Sequence, residues 1–371
     1  MHPKIYQVLP EAEPFSACRG GAISRWVANV VCDDPHTLIV CPSADGTWKL
    51  HGPEIRRRAA YNVYARVLRC AGRLPQLWSE RIIRKVLRSA FHDLQVGDVL
   101  WIHNRPLLSA ALMPIASRAR ARVVLHLHNS HLNYYHGPVI ADRVTFCSGF
   151  LERESRESHP ELGGGTIIHN GADDAVANAR NFDASPEKLF TALFVGRLVP
   201  EKGAHIFLDA MRLLNDKGMK IRGRIVGSSR FGYQPQSAYF NQLLAAAPPN
   251  VKFVGYKSGG ELADEYRHAD VFCCPSIWQE PFGMVNVEAM ASALPVVASA
   301  VGGIPEVFRE GGGILVPPAD PEKLASAIES LARSPGLRAR LASAGHASFL
   351  RNFRWSVIRE QYQRAIAELA V

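Results

Sequence analysis

Two glutamates eight residues apart, Glu280 and Glu288, lie in a segment that predicts a ligand site. Residues 270–275, just before them, form a short apolar run suited to a buried parallel strand, and Pro281 predicts the first turn of a following helix. Such a helix N-terminus offers amide N–H groups, and Gly283 would let a ligand approach the backbone closely. At about 100° per residue, Glu280 would lie in the loop and Glu288 roughly two turns further on. We therefore expect the two carboxylates to bind different parts of one ligand.

Two cationic residues follow an earlier predicted strand. Arg197 and Lys202 lie five residues apart in the loop after the strand at 191–196. This is the sheet edge where Glu280 also emerges, so both cations could converge on one ligand. Arginine can bridge two phosphate oxygens and lysine supplies a compact point charge, which together suit a diphosphate leaving group.

The segment from Glu280 to Glu288, continued by 289–291 and 294–298, resembles the donor-site motif of retaining glycosyltransferases of family 4, which have the GT-B fold. Residues 194–203 and 301–306 support the resemblance, and residues 168–173 and 125–128 do so more weakly. It is strong from about residue 170 to residue 327 and thin before that. This asymmetry is expected if the second half binds a common donor and the first half a variable acceptor.

The resemblance implies roles for particular residues. Arg197 and Lys202 would bind the donor diphosphate, and His128 would lie near the anomeric carbon, where its neutral imidazole could hydrogen-bond the donor sugar. Glu280 would bind sugar hydroxyls and Glu288 the ribose. The catalytic candidates are thus His128, Arg197, Lys202 and Glu280, and the donor-binding candidates are Gly20, Gly21, Phe282, Gly283, Met284 and Glu288.

The chain contains no Asp-x-Asp triplet, the metal-binding motif expected of the other large glycosyltransferase fold. We therefore expect no metal and no cofactor, with cationic side chains in the metal's place. One rival hypothesis starts from His126, His128 and His131, whose spacing is that of a metallo-β-lactamase-like site. Ser130 stands where that site needs an aspartate, and a buried core histidine is a further alternative for His128.

Alternating apolar runs and helical patterns predict two Rossmann-like domains, each a doubly wound parallel sheet, that face a central cleft in the GT-B arrangement. In the first half the predicted strands are 5–9, 37–41, 99–103, 123–127, 144–147 and 166–169. In the second half they are 191–196, 221–227, 251–255, 271–275, 295–299 and 313–316. We expect an acceptor-binding domain at 1–170 and a nucleotide-sugar-binding domain at 171–354, with a linker over 170–186. By resemblance, the helix at 355–371 would pack back on the first domain.

Composition narrows the class of protein. A chain of 371 residues exceeds what one core usually supports, which favours two domains. Hydrophobic residues make up 47% of the chain, yet no apolar stretch is long enough to cross a membrane. The first ten residues read as a strand rather than a signal peptide. Seven cysteines, an odd number without a Cys-x-x-Cys pair, fit reduced thiols, so we expect a cytoplasmic protein.

The net charge of +9 is concentrated between Lys49 and Arg88, where eleven Lys or Arg stand against two Glu. Apolar residues at helical spacing predict two basic amphipathic helices there, at 64–71 and 83–90. They would form either a solvated face or a surface that docks on anionic membrane lipid or a phosphate-bearing acceptor. Nucleic acid is not an expected partner, because no nucleic-acid-binding motif is present.

The absence of an Asp-x-Asp triplet predicts a metal-independent enzyme. The resemblance implies a retaining glycosyltransferase that moves a hexosyl group from a nucleoside-diphosphate sugar to a saccharide or lipid-linked acceptor, in bacterial surface polysaccharide or lipopolysaccharide synthesis. Two alternatives stay open. One is a GT-B sugar-nucleotide epimerase or hydrolase, which would act without an acceptor. The other is a non-catalytic carbohydrate-binding protein, although such a protein would be expected to have lost at least one of Arg197, Lys202, Glu280 and Glu288.

Overall fold

The computed structural model describes residues 3–11, 13–17, 21–44, 48, 50–57, 85–130, 132, 135–174, 189–229 and 237–369. The chain folds into two compact units. One comprises Met1–His169 with Ile358–Val371, and the other comprises Asn170–Val357.

A parallel sheet of seven strands forms the centre of the first unit, in the order β3-β2-β1-β4-β5-β6-β7. The strands are β1 (Ile5–Val8), β2 (Thr37–Cys41), β3 (Glu54–Arg57), β4 (Val99–His103), β5 (Arg122–Leu127), β6 (Arg143–Phe146) and β7 (Thr166–Ile167). The helices named here are α1 (Ala22–Val30), α2 (Pro106–Ala119), α3 (Gly149–Ser158) and the last helix of the chain, α11 (Trp355–Ala367), which belongs to this unit from Ile358 onward.

The second unit has a parallel sheet of six strands in the order β10-β9-β8-β11-β12-β13. The strands are β8 (Phe190–Val195), β9 (Ile221–Val226), β10 (Val251–Gly255), β11 (Val271–Cys274), β12 (Val296–Ser299) and β13 (Gly313–Val316). The helices are α4 (Ala204–Asp216), α5 (Ala238–Ala245), α6 (Gly259–His268), α7 (Met284–Ala291), α8 (Ile304–Val307), α9 (Pro321–Arg333) and α10 (Pro335–Asn352), with a 3-10 turn at Pro200–Lys202.

The apolar runs form strands because both faces of each sheet are covered. Every residue of β2, β4, β11 and β12 is buried, which is why these strands read as continuous rather than alternating apolar segments. The predicted strands agree with the observed ones to within two residues at each end. Both sheets are wholly parallel, so the predicted fold class of two Rossmann-like units is confirmed.

One strand was missed. β3 has the sequence Glu-Ile-Arg-Arg and, among the described residues, lies at the edge of its sheet and pairs only with β2. Its polar sequence was read as the start of the basic stretch rather than as a strand, because an edge strand needs no continuous apolar run. Of the two predicted basic helices, the one at 64–71 lies outside the described residues, and 85–90 of the other is helical. Among the described residues, no helix is long and apolar enough to span a bilayer.

Each sheet has one point where the strand order reverses. In the first unit it lies between β1 and β4, and in the second between β8 and β11. At such a point the connections leave the two strands in opposite directions, and a crevice opens at the carboxyl ends. The loops after β1, β4, β8 and β11 are therefore the places where each unit can hold a ligand.

Candidate functional site

Glu280 is held in the loop after β11 by a pair of glycines that follows β12. The N–H of Gly303 donates to the carbonyl of Glu280 at 2.7 Å, and the N–H of Gly302 donates to the side chain of Gln279 at 2.8 Å. A Cβ on Gly302 would lie 2.2 Å from the Glu280 carbonyl oxygen. This close backbone approach needs a residue without a side chain, and it fixes the direction in which Glu280 leaves the loop.

The Glu280 carboxylate is buried and paired. Its residue is 5% exposed, its Oε1 forms an ion pair with Lys202 Nζ, and it accepts a hydrogen bond from Ser276 Oγ at 2.9 Å. Lys202 Nζ also lies 5.3 Å from the ring centroid of Trp278. The buried charge of Glu280 is thus balanced by a cation that an aromatic face also stabilises.

Lys202 reaches this carboxylate because of the turn that carries it. The 3-10 turn Pro200–Lys202 ends at Gly203, whose φ is 72°. A Cβ at Gly203 would lie 1.8 Å from the carbonyl oxygen of Pro275, directly after β11. Glycine therefore lets the loop after β8 pack against the end of β11, and this packing brings the predicted cation and carboxylate together.

Arg197 differs from Lys202. The backbone beside it is held to the loop after β9, since Leu198 N–H donates to the Ser228 carbonyl at 3.0 Å. Its side chain is exposed and makes no ion pair with any other described residue. The structure thus places both predicted cations in the loop after β8, with only Lys202 paired to Glu280.

Helix α7 begins at Met284, not at Pro281 as predicted. Gly283 has a left-handed φ of 88° and precedes the first helical residue, so the chain turns before the helix starts. Glu288 is therefore only the fifth residue of α7, and it accepts a hydrogen bond from the Tyr266 hydroxyl at 3.0 Å. The backbone N–H of Met284 lies at the N-terminus of the helix, where the dipole favours an anion.

Phe282, one of the donor-binding candidates, lies in the core. It is 2% exposed and packs edge to face with Phe353 at a centroid distance of 5.8 Å. Trp278 is half-buried, and its Nε1 has no hydrogen-bond partner among the described residues. Since the Phe282 side chain is buried, only its backbone could meet a ligand.

No sequence pattern marked Glu13, whose carboxylate lies at the start of α1 beside Gly21. Gly20 lies outside the described residues. The N–H of Gly21 donates to Glu13 Oε1 at 2.6 Å, and the N–H of Ser24 donates to the same oxygen at 3.3 Å. Burial raises the pKa of Glu13, while the two hydrogen bonds from the backbone amides of Gly21 and Ser24 lower it. A carboxylate therefore accepts a hydrogen bond from the amide of Gly21, which the resemblance assigned to donor binding.

His128 follows β5 in the first unit and is 7% exposed. Its backbone N–H donates to Asn104 Oδ1 at 2.7 Å, and its Nε2 lies 2.9 Å from Nδ1 of His103 at the end of β4. Burial and the neighbouring His128 hold the pKa of His103 well below its usual value. His128 is therefore hydrogen-bonded into a buried cluster rather than isolated in the core.

The rings of His126 and His128 lie edge to face at 4.3 Å, on the same side of the strand as predicted. His126 Nδ1 is 2.6 Å from the Thr145 hydroxyl, and burial lowers its pKa strongly. His131, the third member of the metal hypothesis, lies outside the described residues. No group of three ligand side chains that could hold a metal occurs in the described parts of the chain.

Comparison with known proteins identifies the family of the chain. Residues 176–347 match the family model for glycosyl transferases group 1. The phosphatidyl-myo-inositol mannosyltransferase of Mycobacterium leprae is 35% identical over 292 residues, which cover 74% of each chain. The spore coat protein SA of Bacillus subtilis is 35% identical over 173 residues, or 45% of this chain and 46% of that protein.

Solved structures share the fold over nearly the whole chain. The crystal structure of Anabaena HepE in complex with UDP and glucose aligns with a TM-score of 0.73 at 21% identity, covering 98% of this chain and 100% of that one. Sucrose-phosphate synthase from Thermosynechococcus elongatus aligns with a TM-score of 0.74 at 20% identity, covering 99% of both. The GT-B fold is thereby confirmed. The family model and the Mycobacterium leprae relative, 35% identical over 74% of each chain, show that the chain belongs to glycosyl transferases group 1.

Proposed function

We propose that the protein transfers a hexosyl group from a nucleoside-diphosphate sugar to a hydroxyl of a saccharide or lipid-linked acceptor, with retention of configuration and without a metal ion. The observation that carries this proposal is the Lys202–Glu280 pair at the carboxyl ends of β8 and β11. A buried carboxylate and a cation, side by side where the strand order reverses, are the two charges that a sugar and its diphosphate require.

In the proposed reaction, the bond between the anomeric carbon and the β-phosphate oxygen breaks, and the acceptor oxygen bonds to that carbon from the same face. The acceptor proton passes to the departing phosphate, so atoms and charge balance. Lys202 and Arg197 would stabilise the charge that develops on the phosphate. Glu280 would accept hydrogen bonds from sugar hydroxyls, and Glu288 from the ribose.

The relatives support a choice of donors and acceptors to test. UDP-glucose is the first donor, because the Anabaena HepE structures contain UDP and UDP-glucose. The names of the mycobacterial and Streptomyces bingchenggensis relatives specify phosphatidyl-myo-inositol and D-inositol 3-phosphate. A phosphate-bearing or lipid-linked acceptor in bacterial surface polysaccharide synthesis would also suit the basic stretch between Lys49 and Arg88.

The test begins with thermal unfolding in the presence of UDP, GDP, ADP and dTDP sugars. A ligand at about 100 times its Kd adds roughly 2.7 kcal/mol of stability. Release of nucleoside diphosphate is then measured with the stabilising donor, with and without an acceptor. We expect release to require the acceptor and to persist in EDTA, since cationic side chains replace the metal.

The possible results distinguish the proposed function from its alternatives. No stabilisation by any donor together with no release would contradict the proposed function. Release that is equally fast without an acceptor would favour the hydrolase alternative. Loss of release in EDTA, restored by manganese or zinc, would contradict the metal-independent mechanism and favour the histidine hypothesis.

A further inference from the structure

A chain of polar side chains runs through the core of the first unit and ends at His128. We call it the buried chain; its members, in order, are Tyr362, Gln7, His103 and His128. Each member is at most 7% exposed. The chain joins β1 and β4 to α11, so it connects the end of the sequence to a residue assigned to the donor sugar.

The first link of the buried chain has a direction, because an amide nitrogen donates hydrogen bonds and does not accept them. Gln7 Nε2 therefore donates to the Tyr362 hydroxyl at 2.7 Å.

The second half continues in the same direction. Because the amide nitrogen of Gln7 faces Tyr362, its Oε1 faces His103 Nε2 at 2.9 Å and accepts the proton there. His103 is neutral, since burial lowers its pKa well below the usual value. Its Nδ1 therefore carries a lone pair, which accepts a hydrogen bond from His128 Nε2 at 2.9 Å.

We propose that the buried chain fixes the tautomer of His128, with the proton on Nε2, and that Gln7 and Tyr362 are thereby positioning residues for the transfer reaction. When the ring of His128 is neutral, this tautomer has its lone pair on Nδ1. This ring nitrogen can accept a hydrogen bond from a sugar hydroxyl, and it cannot donate one to a phosphate. The inference rests on the proposed function only where it assigns His128 to the donor sugar.

The test measures the side-chain nitrogen chemical shifts of His128 in the free protein, with the signals assigned by their loss in His128→Gln. In the wild-type protein we expect two widely separated nitrogen shifts, with the proton on Nε2. Gln7→Met removes the acceptor for the Nε2 proton of His103. That proton can then move to Nδ1 of the same ring. The two His128 nitrogen shifts should then converge, as they do when both tautomers are populated. Tyr362→Phe should act in the same direction, because Gln7 can then reverse its amide.

Thr145→Val is the matched control. Thr145 is as buried as Gln7, lies in the same sheet, and loses its 2.6 Å hydrogen bond to His126 in this variant. The His128 nitrogen shifts should stay as in the wild type, although thermal stability falls. With an active donor, Gln7→Met should lower kcat about tenfold, the value of one hydrogen bond, while Thr145→Val should leave kcat unchanged.

A wild-type His128 with its proton on Nδ1, or with a mixture of tautomers, would overturn the proposal. So would a folded Gln7→Met protein that keeps the wild-type nitrogen shifts. If the Gln7→Met protein does not fold, the His128 nitrogen shifts in the Tyr362→Phe protein test the proposal instead. The nitrogen measurement needs no substrate, so a failure to find transferase activity would count against the proposed function and not against the buried chain.

Discussion

Lys202 and Arg197 occupy one loop but are held in different ways. The Lys202 ammonium pairs with buried Glu280 and lies against Trp278, whereas the Arg197 side chain is exposed. Removing Lys202 would leave a buried carboxylate without its partner, and removing Arg197 would not. The stability of the fold should therefore respond differently to substitution at these two positions.

We expect Lys202→Met and Arg197→Ala each to lower kcat by about 10² or more, because in the proposed reaction both cations stabilise the departing phosphate. Only Lys202→Met should also destabilise the fold, by about 3 kcal/mol, because it breaks a buried ion pair. Steady-state kinetics and urea unfolding measure the two effects. Lys217→Met, which breaks the more exposed pair with Glu329, is the matched control and should change neither much. Wild-type kcat in both site variants would remove these residues from the mechanism.

At the scale of elements, glycines decide how closely two loops approach. Gly203 and Gly218 both have a left-handed backbone, with φ of 72° and 71°. A Cβ at Gly203 would collide with the carbonyl of Pro275, while a Cβ at Gly218 would meet no atom within 4 Å. Alanine substitutions at the two glycines therefore separate the free-energy cost of the left-handed backbone from the cost of the steric clash with Pro275.

Gly218→Ala should therefore cost about 1 kcal/mol, which is the strain of the left-handed conformation alone. Gly203→Ala should cost a further 1–3 kcal/mol or so, because the loop must move away from β11. It should also lower kcat, since Lys202 moves with the loop. Urea unfolding and kinetics on the pair give the comparison. Equal destabilisation by the two substitutions would mean that the approach of the loop to Pro275 is not a constraint.

Strands β4 and β5 place His103 and His126 in the core, where burial holds the pKa of each well below the usual value of 6.5. Below pH 6.5 the unfolded chain binds protons at these positions and the folded chain does not. The contribution of these two histidines to the free energy of unfolding is therefore fully present above pH 6.5. It is lost as the pH falls toward the pKa values of the folded state.

We expect the free energy of unfolding of the first unit to fall between pH 6.5 and 5.5, by up to about 1.4 kcal/mol per pH unit for each buried histidine. Urea unfolding at a series of pH values, followed by tryptophan fluorescence, measures this slope. In His126→Gln one of the two contributions is absent, so the slope should be smaller even though the protein is less stable. An unchanged slope would show that His126 is protonated in the folded state.

At the scale of the whole molecule, the distribution of charge matters more than its sum. The excess of eleven cations over two carboxylates between Lys49 and Arg88 equals the net charge of the entire chain. Most of this stretch lies outside the described residues. A dense basic stretch in an enzyme with a lipid-linked acceptor would hold the protein at an anionic membrane surface.

We expect the protein to sediment with anionic vesicles at low salt and to be released as salt rises, because charges are screened beyond about 8 Å at physiological ionic strength. A triple variant with Arg66, Arg69 and Arg73 changed to Gln should lose about 3 kcal/mol of binding. The matched control changes Lys217, Lys220 and Lys252 to Gln, which removes the same charge elsewhere. Binding that is equal on neutral vesicles, or equally weakened by both triple variants, would favour a solvated face.

The sequence alone determined the fold class, the approximate strands and the family. Buried parallel strands leave continuous apolar runs, and the loops that follow them carry motifs such as Glu280 to Glu288 within a few residues. These are local patterns, so they can be read without knowing which strands are neighbours. The polar edge strand β3 could not be predicted in this way, because it has no apolar run. The start of α7 was placed wrongly, because no proline marks it.

The contacts between distant residues were decided only by the tertiary structure. Lys202 meets Glu280 across 78 positions of sequence, and Gln7 meets Tyr362 across 355. The Glu13 carboxylate at the Gly21 amide is a third example. Such pairs depend on the strand order and on the close approach of loops at glycines, and no local pattern of residue types encodes either of them. The sequence therefore named the charged groups of the site, while the packing of the sheets selected the partner of each.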